Sequence, residues 1–221
     1  MKIGILGTGN LAVTLGRAWT AVGHSLLLMG LNPQHAASAA DQIGATAKPA
    51  DPGDIAGEAG ILVVAVAWDG LEEAVSLVGA SGGSLAGKTV LDCTNPVNYV
   101  TGRLIPASGS AAEVVARAAA GAHVVKALHM FAGASWPFTG ERASAPVVAI
   151  CGDNSDAIDH DRSLIADLGS RAVAIGPLAS ARQAEEAAGF IMRAVAAGAN
   201  QRFAVPDVNP TLLGMTEIVS H

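Results

Sequence analysis

Six residues near the start of the chain, Gly7-Thr8-Gly9-Asn10-Leu11-Ala12, fit the pattern G-x-G-x-x-G/A, whose chemistry is the cradling of a dinucleotide pyrophosphate. Gly7 permits a tight turn, Gly9 lets the backbone approach the phosphates, and Ala12 allows close packing of helix on strand. The pattern carries weight only where a strand precedes it and a helix follows. Both conditions hold. The apolar run Ile3 to Leu6 comes immediately before, and NLAVTLGRAWTAVG repeats Leu11, Leu15, Ala18, Trp19 and Val22 at helical spacing until Gly23 ends it. The start of that helix offers free N–H groups and positive potential to phosphate.

The adenosine ribose is normally read at the end of the second strand, here Met29-Gly30-Leu31-Asn32-Pro33-Gln34-His35. No carboxylate stands there to hold a 2′-hydroxyl or repel a 2′-phosphate, and no Arg or Lys to grip one. His35 adds an attractive charge only when protonated; the alternative is a solvated histidine at a helix start. In sheets of this kind ligands lie beyond the carboxyl ends of the strands, which adds three further segments. In Ala67-Trp68-Asp69 the indole either walls a cleft or fills core. In Thr94-Asn95-Pro96-Val97 the polar pair either bonds a ligand or sets the turn before Pro96. In Ala127-Leu128-His129-Met130, His129 is more site-like than His24 or His123 and is the candidate proton donor.

The elements that must position these residues alternate. Short Val/Ile/Leu-rich runs at Ile3 to Leu6, Ser25 to Met29, Ile61 to Ala67, Thr89 to Asp92, His123 to Leu128, Pro146 to Cys151 and Ala172 to Ile175 are separated by helical patterns. Continuous rather than alternating apolarity marks a sheet covered on both faces. The reading is therefore an α/β fold, a Rossmann-type doubly wound, mostly parallel sheet with a small C-terminal helical extension. Residues 1–178 form the dinucleotide-binding domain; 179–221 form a helix from Ser180 to Ala197, with Arg182, Glu185, Glu186 and Arg193 between its apolar positions, and a tail that packs on the cleft or a dimer interface.

Composition excludes other classes. With 51% hydrophobic and 14% charged residues, the chain has ample apolar surface to bury. The net charge of −6 and scattered basic residues lack the footprint of nucleic-acid binding. No apolar stretch reaches the roughly 18–20 residues of a membrane span, and MKIGIL enters a strand without a signal-peptide pattern, so the expected location is cytoplasmic. Cys93 and Cys151 are too few and too dispersed for a disulfide framework or a zinc site, and read as buried thiols; no metal site is expected. The apolar face of the last helix, with Phe203, Val205, Leu212, Leu213 and Ile218 beyond it, exceeds what one small sheet covers. A homodimer through Phe190, Ile191 and the Leu212-Leu213 pair is expected.

Taken in order, GTGNLA, VVAVAW, SAAEVVARAAAGAHVVKALH, VVAICGDN and AIGPLASARQAEEAAGFIMRA make the chain similar to the F420-dependent NADP oxidoreductase family, which is related to the reductase domains of the six-transmembrane epithelial antigen metalloreductases. The resemblance implies hydride exchange between NADP(H) and the deazaflavin F420, or a flavin-like acceptor. It implies phosphate contacts from Thr8 to Leu11, and places Trp68, Val97, Ala127, His129 and Gly133 on the nicotinamide and deazaflavin side. Where the family commonly has Ser-Arg this chain has Gly30-Leu31, so weak discrimination between NADP and NAD is expected, leaning to NADP. Two other readings fit the same residues: an NAD(P)-dependent reductase of a small imine or carbonyl, and a non-catalytic dinucleotide sensor.

Overall fold

The computed structural model describes residues 1–79, 82–130 and 133–200. Its elements run β1 (Lys2–Leu6), α1 (Asn10–Ala21), β2 (Ser25–Met29), α2 (Pro33–Ile43), β3 (Ala47–Pro49), α3 (Pro52–Glu58), β4 (Ile61–Val64), α4 (Leu71–Leu77), β5 (Thr89–Asp92), α5 (Ala111–Ala118), β6 (His123–Lys126), β7 (Val147–Gly152), α6 (Ser155–Asp167), β8 (Arg171–Ala174) and α7 (Ala181–Ala196). The eight strands form one sheet in the order β3-β2-β1-β4-β5-β6-β7-β8. Every neighbouring pair is parallel except β6 and β7, which are antiparallel with Val125 opposite Gly152 and Lys126 opposite Cys151. From β1 the chain winds outward one way to β3, then returns to β4 and winds the other way. The crevice at the carboxyl ends of β1 and β4 is thus the switch point where such sheets bind ligands.

Strand side chains alternate between two apolar layers, as the period of two requires. Ile3, Ile5, Leu26 and Leu28 face a layer completed by α1, α2 and α6. Leu6, Leu27, Met29 and Leu62 face the layer of α3, α4, α5 and the start of α7. Trp19 is fully buried in the first layer and donates its indole N–H to the Leu164 carbonyl at 3.0 Å, pinning α1, which carries the phosphate-turn glycine at its start, to α6.

Four strands are shorter or shifted relative to the sequence reading. β4 ends at Val64 because Ala65, after one bond from its N–H to the Leu6 carbonyl (2.7 Å), turns toward the cleft. β6 ends at Lys126, and Leu128 adopts φ +60°, a turn value rather than a strand value. β7 and β8 begin and end one residue from the expected limits. The edge strand β3 has no counterpart in the apolar runs, since Ala-Lys-Pro pairs on one side only. The last helix lies at Ala181–Ala196, against the expected Ser180 to Ala197. Phe203, Val205, Leu212, Leu213 and Ile218, and the expectations attached to them, lie outside the described residues. Among the described residues no helix is long and apolar enough to cross a membrane.

Candidate functional site

The turn after β1 forms around Gly7, whose φ of +131° is a glycine conformation; a side chain there would also overlap the Ala65 carbonyl oxygen. Its N–H donates to the Met29 carbonyl at 2.8 Å, locking the turn onto the end of β2. Gly30 serves the same junction, because a Cβ at that position would stand 2.7 Å from Thr8 Cγ2. Gly9 then begins α1. It supplies no side-chain cap, and the first turn of α1 contains no acidic residue. The starts of α2, α5 and α6 are closed by Asn32, Ser110 and Asn154, each accepting a backbone N–H, while those of α3, α4 and α7 also lack a side-chain cap. No atom lies within 4 Å of the place a Gly9 Cβ would occupy. An uncapped helix start with open space before it is the arrangement that suits an anion, and a pyrophosphate fits it.

This helix start opens into a cleft of about 630 Å³, within the usual range of ligand sites. Gly9, Asn10 and Leu11 form one end, and the segment Ala65–Asp69 after β4 forms the adjoining wall with Trp68. Asn95 and the stretch Val97–Val100 after β5, with Ile105, form the far wall; Leu128 and His129 after β6 close it. Eight residues expected at the site therefore meet there: Gly9, Asn10, Leu11, Ala67, Trp68, Asn95, Val97 and His129. Gly30 and Leu31 face a separate cleft of about 380 Å³ shared with Pro33, Ala36, Asp51 and Asp54. Those two carboxylates follow β3 and were not foreseen, since they are distant in sequence from the end of β2.

Other expected residues lie away from both cleft walls. Gly7 and Thr8 support the turn from behind. Thr94 and Ala127 are buried at 1% and 0% exposure. Pro96 lies outside the lining, but its carbonyl accepts from Ile105 N–H at 2.7 Å, which closes the far-wall loop. Gly133 packs on α1, where a Cβ would come within 3.2 Å of Thr14 Oγ1. Asn32 uses its side chain to accept from Gln34 N–H at 2.9 Å, and His35 is exposed on the first turn of α2.

The ends of β5 and β6 carry a cluster that sequence reasoning missed. Lys126 Nζ lies 3.0 Å from Asp92 Oδ2 and 2.9 Å from Glu185 Oε1, and also donates to the Thr94 carbonyl; all three side chains are fully buried. Asp92 Oδ1 accepts from Thr94 N–H at 2.9 Å, and Glu185 accepts from Ala111 N–H at 3.0 and 3.1 Å to its two oxygens. Burial works against the Lys126 ammonium, yet Asp92 and Glu185 outweigh it and hold the group above the usual lysine range. Burial raises Glu185 more than Lys126 lowers it. The one available signal was a lysine inside an otherwise apolar strand, HVVKAL. Glu185, expected as a charge between apolar positions, is instead an interior group, because α7 turns that face toward the sheet.

His129 does not meet the expectation of a proton donor. Its Nε2–H donates to the Ala184 carbonyl at 3.1 Å, so the neutral ring has a bare Nδ1, which has no hydrogen-bond partner. Burial, and then the nearby Lys126 charge, press its pKa down to about 3. At neutral pH it is an acceptor. Cys93 and Cys151 are buried free thiols, as expected, and burial pushes both up, Cys151 to about 11. Neither is a thiolate nucleophile at neutral pH. Among the described residues no cluster of His, Cys, Asp or Glu has the makings of a metal site.

Comparison with known proteins agrees with this geometry. Residues 2–96 match the family model described as NADP oxidoreductase, coenzyme F420-dependent. A protein from Arthrobacter sp. FB24, provisionally named an F420-dependent NADP-reductase, superposes with a TM-score of 0.74 at 25% identity, over 90% of this chain and 96% of that one. A hypothetical protein from Sinorhizobium meliloti does so with a TM-score of 0.69 at 25% identity, over 82% and 88%. An imine reductase from Myxococcus stipitatus in complex with NADP+ shares the fold at 17% identity and a TM-score of 0.67; 90% of this chain spans 63% of it. No curated protein matches. The phosphate turn, the switch-point crevice and the match over residues 2–96 together make the chain similar to the coenzyme F420-dependent NADP oxidoreductases.

Proposed function

We propose that the chain is an NADP-dependent oxidoreductase that moves a hydride between NADP(H) and a deazaflavin of the F420 type, or a flavin-like acceptor, in the cleft between α1 and the loop after β5. The observation that carries this reading is the uncapped start of α1 with open space before Gly9, facing a cleft whose far wall is mainly apolar. Gly9 to Leu11 would hold the pyrophosphate through backbone N–H groups, and Ala67 and Trp68 would border the nicotinamide side. Val97, Val100 and Ile105 line this wall with apolar side chains, against which a tricyclic ring system would pack. A bound dinucleotide supplies the hydride chemistry, and the protein's work is orientation and exclusion of water.

Reduction of a small imine or carbonyl needs a proton delivered to the substrate, and the described lining residues are poorly placed to deliver one. His129 is neutral with its N–H committed to Ala184, and burial holds the Cys93 thiol well above its ordinary range. Tyr99 is 70% exposed at the tip of the far-wall loop, and Asp69 is exposed at the rim. These placements favour the deazaflavin or flavin reading. The bare Nδ1 of His129 is suited to accept a hydrogen bond from a ligand. Difference spectra with NADPH, NADH, F420 and FMN, followed by turnover assays, test the proposal. NADPH-dependent reduction of F420 or FMN is the expected result; turnover confined to cyclic imines or ketones would refute it.

Association is part of the proposal. Phe190 and Val195 on α7 remain 60% and 47% exposed, which supports a homodimer through this helix. Light scattering that returns a monomer mass at high concentration would remove it.

A further inference from the structure

The far wall of the cleft is a hairpin-like loop, buried at its root by Pro96 and Val97 and exposed over residues 98–101. Within residues 96–105, Asn98 Oδ1 accepts from the N–H groups of Val100 and Thr101 at 3.0 Å each. Gly102 N–H donates to the Asn98 carbonyl at 2.7 Å, and a bridge joins Val97 to Leu104. These bonds shape the loop but do not attach it to the domain. At its tip Tyr99 and Val100 are largely exposed.

Attachment of the tip comes from α7. Gly189 of α7 lies so close to Gly102 that a Cβ on Gly189 would overlap the Gly102 carbonyl oxygen. A Cβ on Gly102, which has φ +69°, would in turn overlap the Arg193 side chain. Beside this contact Arg193 Nη1 donates to the Val100 carbonyl at 3.1 Å. One turn before Gly189, Glu185 fastens α7 to Lys126 of β6 and to Ala111 N–H at the start of α5. The chain of contacts therefore runs from the sheet through the buried ion cluster to α7, and from α7 through two facing glycines to the loop.

We propose that Gly189, facing Gly102, is a positioning residue that sets how far the acceptor-side wall stands from the dinucleotide side. This rests on the reading that the hydride acceptor lies against Val97, Val100 and Ile105. The phosphate turn at Gly7–Leu11 belongs to other elements and does not share this contact, so the two halves of the site separate under one substitution. A side chain at Gly189 pushes the loop away from α7 and leaves the helix start that receives the dinucleotide unchanged.

The test compares wild type, Gly189→Ala and Arg193→Ala. NADPH affinity is read by fluorescence, KM and kcat are read for the acceptor, and backbone hydrogen exchange is read over 96–105 and 7–15. For Gly189→Ala the expected outcome is a rise of about tenfold or more in acceptor KM, with NADPH affinity within about twofold of wild type. Exchange should quicken in 96–105 and stay unchanged in 7–15. Arg193→Ala, which adds no volume and removes the Val100 tie together with the side chain packed beside Gly102, should move the same quantities the same way by less, and serves if the first variant folds poorly. Equal losses of NADPH and acceptor affinity, or an unchanged acceptor KM in a variant whose 96–105 exchange has quickened, would overturn the proposal. If wild type reduces an imine and no deazaflavin or flavin, the acceptor assignment fails by itself, and the same comparison run with that imine still decides the role of Gly189.

Discussion

Replacing Lys126 with Met removes the one cation from a fully buried cluster and leaves Asp92 and Glu185 facing each other without it. Each carboxylate keeps backbone N–H support, from Thr94 and Ala111 respectively, but neither gains a new partner. Breaking a buried pair from one side costs about 3–5 kcal/mol, and a chain of this size loses roughly 2–4 °C of Tm per kcal/mol. The expected drop at pH 8 is therefore about 6–20 °C. The sign of the pH dependence follows from where the carboxylates can go. Burial already raises Glu185, and without Lys126 the opposing attraction is lost, so its folded pKa rises further above the unfolded one and the variant loses stability as pH climbs past the unfolded carboxylate range. It should stand nearer wild type at pH 5 than at pH 8. Calorimetry at the two pH values measures this, and adding Glu185→Gln to the variant should recover part of the loss. A Tm within about 3 °C of wild type at pH 8, or an equal deficit at both pH values, would show that the cluster does not hold the charges assigned to it.

Three further outcomes are expected. Gly9→Val should abolish NADP(H) binding in calorimetric titration while the apoprotein's Tm stays within a few degrees, because its φ of −80° suits any residue and no atom stands where the side chain would start; unchanged affinity in a folded variant would misplace the phosphate site. Leu31→Arg should raise the preference for NADPH over NADH by about tenfold or more, since a charge-assisted contact to a 2′-phosphate contributes about 1.5–3 kcal/mol, and equal gains for both cofactors would argue against a 2′-phosphate at this strand end. Asp161 is fully buried, neither of its oxygens has a hydrogen-bond partner, and burial holds its carboxyl well above the ordinary range. The folded protein thus keeps a proton that the unfolded chain gives up above about pH 4, and stability falls as pH rises from there. Asp161→Asn should be more stable than wild type at pH 7 and converge with it near pH 4 in urea titrations, and a gain independent of pH would contradict a protonated Asp161.

The part of the site that lies within one continuous stretch is legible in the amino-acid sequence alone. Gly7 to Ala12, with a strand before and a helix after, reports its own geometry, because turn, helix start and close packing are all local requirements. Strand interiors are legible for a similar reason: residues buried on both faces must be apolar on both faces. What stays hidden depends on pairing. Asp92 and Lys126 meet only because β5 and β6 are in register, and Glu185 joins them only because α7 returns to that layer. Asp51 and Asp54 reach the Leu31 cleft through β3, a strand too short and too exposed to leave an apolar run. His129 stands out in the sequence but with the opposite hydrogen-bonding sense, since the carbonyl that takes its proton belongs to Ala184, 55 residues away.

The two cysteines sit on opposite sides of the sheet. Cys93 belongs to the layer of α1, α2 and α6, and Cys151 to the layer of α3, α4 and α5. Each layer thus carries one native thiol, shielded and protonated while that layer stays closed. An alkylating reagent reaches Cys151 only when its own side of the sheet opens, and Cys93 when the cleft wall over it loosens, and the opened thiol reacts near its ordinary pKa. The chain carries a separate natural clock for the breathing of each half of its interior, with no engineered label needed. Cys93, at the edge of the cleft, is the one whose clock a bound dinucleotide should slow.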